Sequence, residues 1–190
     1  MSLRLKTVAG MLAWTVLTAA SVAYSQPGAE TFTATATVKT AGSAAASSPI
    51  TIVVDRKMSQ TEADQLAAAF RTGGSAALRK ALVGVAPTGS IRLGAGQPTV
   101  TRLTIERPTD KGRLLTIVAD APILFLGAGV PGAKPKEGYD FAVLDLEVDA
   151  KGAGTGTLSP AAKITVKQGV FVVDDYSGEL VRLEGVTKGK

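Results

Sequence analysis

Leu126–Asp140 reads LGAGVPGAKPKEGYD and spells a G-x-G-x-x-G at Gly127, Gly129 and Gly132. The residues before it, APILFL, read as a strand. A strand followed by this spelling opens a dinucleotide-binding unit only if a helix comes next, with its N-terminus facing the pyrophosphate. No helix can start here. Pro131 sits within the motif, Pro135 would fall in the first turns, and Gly138 leads directly into another alternating run. A helix-interior proline removes a hydrogen bond and clashes with the preceding turn, so no helix dipole is available for a phosphate. The stretch therefore reads as a long connection between strands, shaped by glycine and proline. The parallel α/β class, which needs strands alternating with helices, is excluded with it.

Period-2 alternation dominates on both sides of this loop. TFTATATV places Phe32, Ala34, Ala36 and Val38 on one face and Thr31, Thr33, Thr35 and Thr37 on the other, the pattern of a half-buried strand. AGSAAASS reads as a small-residue loop, and PITIVVD as a second strand with Ile50, Ile52 and Val54 inward. The period then changes. Ser59 and Glu62 fit a capping box, EADQLAAAFR follows as a helix, and Gly73-Gly74 stop it. Ser75 opens a second helix, AALRKALV, which ends at Gly84. The expectation is a short helical hairpin over about residues 59–83.

After Pro87 the alternation returns in SIRL, TVTRLTIER, RLLTIVAD, PILFL, YDFAVLDLEVD, AKITV, VFVVDDY and ELVRLEGV. PTDKG and Lys167-Gln168-Gly169 read as hairpin turns, and KGAGTG as a glycine-rich turn. The predicted class is mainly β (α+β): an antiparallel β-sandwich or barrel with the helical hairpin as an insertion.

The first 25 residues are set apart from the fold. Arg4 and Lys6 precede an apolar run from Val8 to about Val22, no acid interrupts it, and Ala23-Tyr24-Ser25 supply small residues where a signal peptidase needs them. The run is about 15 residues, short of the roughly 20 that span a bilayer. The expectation is a signal peptide cut between Ser25 and Gln26, a single domain over residues 26–190, and a secreted or periplasmic location with no stable membrane span after processing. The formal charge of the whole chain is +5, and the leader holds two basic residues and no acid, which leaves +3 beyond it. Lys and Arg are scattered, so a nucleic-acid partner is not expected.

Absences narrow the chemistry. The chain has no His, Cys or Asn. Ser-His-Asp and Cys-His catalysis are excluded, as are zinc sites of the usual His/Cys kind. G-x-S-x-G, S-x-x-K and GxxxxGK[ST] do not occur. Carboxylates remain. Asp145, Glu147 and Asp149 share a strand face but lie too far apart for calcium, whose ligands usually come from a curved loop. They read as a solvated face. Asp174 and Asp175 are adjacent on a strand and point to opposite faces, so they form no dyad. Catalytic residues, metal and cofactor are therefore all expected to be none. The binding candidates are Lys134 and Lys136, held on the stiff loop to meet an anion, with Tyr139 and Asp140 at its base.

TFTATATVKT, LGAGVPGAKPKEGYD, DAKGAGTGTLSPAAKI and VVDDY together resemble a family of predicted secreted bacterial proteins without an assigned function. The resemblance spans nearly the whole mature chain and implies an exported single-domain protein. It implies no activity, cofactor or partner. Three function classes follow: an exported non-catalytic binding or structural module, a carrier holding an apolar ligand within a β-barrel, and a carboxylate-based hydrolase. A carrier would need a cavity lined by residues such as Phe32, Phe125, Phe141 and Phe171, which otherwise read as ordinary core.

Overall fold

The computed structural model describes residues 28–39, 45–123, 137–167, 170–175 and 180–189. Among the described residues, nine strands and one helical element follow in chain order: β1 (Glu30–Lys39), β2 (Ala45–Val54), α1 (Gln60–Val83), β3 (Gly89–Leu93), β4 (Thr99–Thr109), β5 (Gly112–Ala119), β6 (Phe141–Val148), β7 (Gly154–Lys167), β8 (Val170–Asp175) and β9 (Val181–Lys188). All pairings are antiparallel, in the order β6-β5-β4-β3-β2-β1-β9-β7-β8, and β6 also pairs with β7. That last pairing closes eight strands into a barrel and leaves β8 outside the ring, hydrogen-bonded to the far half of β7. Closure satisfies the edges that an open sheet would expose. The architecture is mainly β, and of the two β architectures expected, it is the barrel.

The alternation explains the closure. Phe32, Ile50, Ile52, Leu115, Ile117, Leu144, Leu146, Leu158 and Leu183 point inward and form one interior cluster. Each is 1% exposed or less, so side chains fill the small barrel, as expected for eight strands. Three buried threonines interrupt the apolar packing where β3 meets β4. The Thr104 hydroxyl donates to Thr88 Oγ1 at 3.0 Å, and Thr88 and Thr101 hydroxyls lie 3.2 Å apart, so each buried oxygen is paired.

A second cluster lies on the outside of the wall. Leu66, Phe70, Leu78 and Leu82 of α1 pack on Val118, Phe141, Val143 and Ile164 of β5, β6 and β7. The capping box forms as the sequence indicates: Glu62 N–H donates to Ser59 Oγ, and Ser59 N–H donates to the Glu62 carboxylate at 2.8 Å. Gly84 is the C-cap.

α1 is two helical segments, as expected, separated at Gly73-Gly74. Gly73 has φ −137° and Gly74 φ 65°, both non-helical, and the left-handed backbone of Gly74 breaks the hydrogen-bond ladder between them. Ser75 sits just past the kink, where its hydroxyl donates to the Ile164 carbonyl at 2.7 Å and pins the bend to β7.

Two boundaries differ from expectation. β2 starts at Ala45, so Ala45–Ser48 belong to a strand, and they pair with Ser48 opposite Ala36 and Ala45 opposite Lys39. β7 starts at Gly154, so the GTG that ends the expected KGAGTG turn is strand, as is the TLSPA that follows it. PILFL contributes only Pro122 and Ile123 to the described residues, and neither is in a strand. Among the described residues, no helix is long and apolar enough to cross a membrane.

Candidate functional site

Among the described residues, one end of the barrel and the outer wall beneath α1 concentrate side chains that could do chemistry or bind.

At the barrel end, the inward phase of β1 continues one step beyond Phe32 to Glu30. The inward phase of β5 likewise continues outward from Leu115 to Arg113. Glu30 is 6% exposed and carries a full set of partners. Arg113 grips it with both terminal nitrogens, at 2.9 Å and 3.2 Å, and Lys188 Nζ donates at 2.6 Å. Lys57 stands 3.6 Å away. Glu106 joins the group through Arg113 at 2.9 Å and through a short ion pair with Lys57. Burial alone would raise the Glu30 pKa, but hydrogen bonds from Arg113 and Lys188 and the charge of Lys57 outweigh it, holding the carboxyl at about 2. The same partnership pushes Arg113 upward.

A general acid needs a pKa near the working pH. Glu30 is held ionised far below it, so this cluster is a structural plug. In sequence Glu30 lies just before the alternating run TFTATATV. The signal was the phase itself, since an acid in step with Phe32 must point into the barrel and find cations there.

Beneath α1 the wall is different. Leu103 and Ile105 of β4, Thr116 and Val118 of β5, Val143 of β6, Ile164 of β7 and Val173 of β8 form the floor of a groove of about 370 Å³. Leu66, Ala67, Phe70 and Leu78 of α1 form its other side. Thr116, the one polar floor residue, donates to Asp145 Oδ1 at 2.6 Å. Gln60, Asp64, Ala67 and Arg71 line the rim from the helix, at a spacing of four, three and four residues that puts them on one stripe. Gln60 Nε2 donates to Asp64 at 2.9 Å. Val173 remains 42% exposed at the edge. An apolar concavity of a few hundred Å³ with a few polar groups at its margin has the make-up of a small-molecule site.

The four binding candidates named from sequence divide. Lys134 and Lys136 lie outside the described residues, as do Ser25 and Gln26. Tyr139 and Asp140 are described and adjacent, but each serves an inter-element contact. Tyr139 donates to Asp174 at 3.0 Å, joining the entry of β6 to β8. Asp140 pairs with Arg79 of α1 at 3.4 Å.

Of the acids in DLEVD, Asp145 and Glu147 stay on the outer face of β6. Asp149 leaves the strand and caps the next turn, accepting from the N–H groups of Lys151 at 2.8 Å and Ala153 at 2.9 Å. Those bonds hold its carboxyl below the ordinary range. Among the described residues no group of three or more acids is placed to hold a metal ion.

Phe32 is packed in the barrel interior, and Phe141 belongs to the outer cluster beneath α1. Phe125 and the Phe171 side chain lie outside the described residues. Sequence reasoning overlooked the groove because it looked for a cavity inside the barrel. The available signal was Val143 and Val118, apolar residues out of step with the inward phase of their strands.

Compared with protein-family models, with curated proteins and with solved structures, the chain matches none.

Proposed function

We propose that this chain is an exported, non-catalytic binding module that takes an apolar ligand against the outside of its barrel, in the groove between α1 and the wall. One observation carries the reading: the groove joins an apolar floor of Leu103, Ile105, Val118, Val143 and Ile164 to the apolar side of α1, and among the described residues it is only partly enclosed. The barrel interior offers less, because Phe32, Ile50, Leu115 and Leu144 already fill it. A catalytic reading lacks its groups. His and Cys are missing from the chain, and the most buried carboxylate is held ionised by three cations.

The test uses N-phenyl-1-naphthylamine, a neutral apolar fluorophore, with the chain beginning at Gln26. The mature chain has no Trp to interfere, since the only Trp is Trp14. Saturable binding is expected, and Ala67→Phe, which fills the groove from the helix side, should abolish it while the protein stays folded by circular dichroism. Binding that survives Ala67→Phe, or no saturable binding by the unmodified protein, overturns the reading.

A further inference from the structure

The groove floor is apolar apart from Thr116, but its rim is not electrically symmetrical. Asp64 and Arg71 lie on the same stripe of α1, seven residues and therefore about 10 Å apart along the axis. Asp64 is engaged by Gln60. Arg71 lines the groove and also the smaller hollow beside it, formed by Phe70, Gly74, Ser75, Ile164 and Thr165. Other arginines around the helix have partners: Arg56 with Glu62, Arg79 with Asp140 and Arg102 with Asp120. Arg71 has no hydrogen bond or ion pair to any described residue. It is an exposed guanidinium at the end of an apolar trough whose opposite end carries an acid.

We propose that the groove's ligand is a single-chain amphiphile with an anionic head, its tail lying along Leu103, Val118, Val143 and Ile164 and its head against Arg71. The inference rests on the groove being a binding site and adds the polarity and orientation of what it takes. A guanidinium meets a carboxylate or phosphate through two parallel hydrogen bonds. Asp64 repels the same head from the other end, so the ligand enters in one direction. The tail supplies affinity through burial, and the head supplies selection. A volume of about 370 Å³ lies near the small end of the usual range for ligand sites, which suits one chain rather than a two-chain lipid.

Isothermal titration of the mature protein with dodecanoate and with dodecylammonium, each below its micellar concentration, tests the inference, with naphthylamine displacement in parallel. Dodecanoate should bind about five- to tenfold more tightly than dodecylammonium. Arg71→Gln should erase that ratio. Equal binding of the two heads, with naphthylamine binding intact, overturns the anionic-head inference and leaves the apolar-site reading standing. Loss of all three overturns both. Two other results would overturn the inference by naming another occupant: sedimentation with phosphatidylglycerol vesicles without binding of free dodecanoate, or a dimer in solution that Ala67→Phe dissociates.

Discussion

Glu30 shows how one buried charge constrains the whole barrel end. Its carboxylate is surrounded by Arg113, Lys188 and Lys57, with Glu106 as the second acid of the group. Removing one member of a buried, hydrogen-bonded ion cluster leaves the others uncompensated, which costs about 3–5 kcal/mol. Glu30→Gln should therefore lower stability by about 3 kcal/mol in urea unfolding at neutral pH, the low end because Lys188 is partly exposed. The pH dependence follows from the sign of the shift. Glu30 has a folded pKa of about 2 against an ordinary 4.5. Its contribution is therefore fully present above about pH 4.5 and is lost as pH falls towards 2. Stability measured from pH 5 to pH 2 should fall less steeply in Glu30→Gln than in the unmodified protein. Glu62, also held low by its capping bonds and Arg56, contributes a slope of the same sign in both. Parallel curves would show that Glu30 is not the group that titrates.

At the scale of the element, α1 and β7 show what pattern reveals and what it hides. The start of α1 was legible because a capping box is a local device: Ser59 and Glu62 need only each other. Ser59→Ala should cost about 1 kcal/mol, measured as a shift in the urea midpoint. The break between the two helical segments was legible as Gly73-Gly74. The contact that seats it on the wall was not, because Ser75 meets Ile164 only in the fold. The first half of β7 was hidden because Gly154, Gly156 and Pro160 carry turn chemistry in isolation. In the barrel, Gly154 and Gly156 serve close approach instead. A Cβ on Gly154 would lie 1.9 Å from the Glu147 carbonyl oxygen, and one on Gly156 would lie 2.6 Å from that of Asp145. The partner strand β6 forbids side chains there, a tertiary fact that no window of sequence contains. Gly154→Ala should destabilise by about 1–3 kcal/mol. Gly28→Ala, where a Cβ meets nothing within 4 Å, should stay within about 0.5 kcal/mol. Equal effects would mean that β6 and β7 do not approach as closely as described.

On the scale of the whole molecule, one wall serves two cores. The inward residues of β5 and β6, such as Leu115 and Leu144, belong to the barrel cluster, and the outward Val118 and Val143 belong to the helix cluster. The two share backbone but not side chains, so they can fail separately. The barrel is closed by hydrogen bonds all the way round, whereas α1 is held by its apolar stripe, the Ser75–Ile164 bond and its terminal arginine contacts. Sub-global opening should therefore begin with α1 leaving the wall. Phe70 is the largest side chain α1 buries there, at 3% exposure. Phe70→Ala removes packing whose loss from a core costs about 3–5 kcal/mol. That cost should fall on helix docking before it reaches the barrel. In hydrogen exchange, amides of α1 should lose protection in Phe70→Ala while those of β1, β2 and β9, on the far side of the ring, keep theirs. Ile52→Ala, which opens the barrel interior instead, should lower protection in all the strands together with the helix. If Phe70→Ala weakened β1, β2 and β9 as much as α1, the two clusters would be one cooperative unit, and the groove between them could not open independently to admit a ligand.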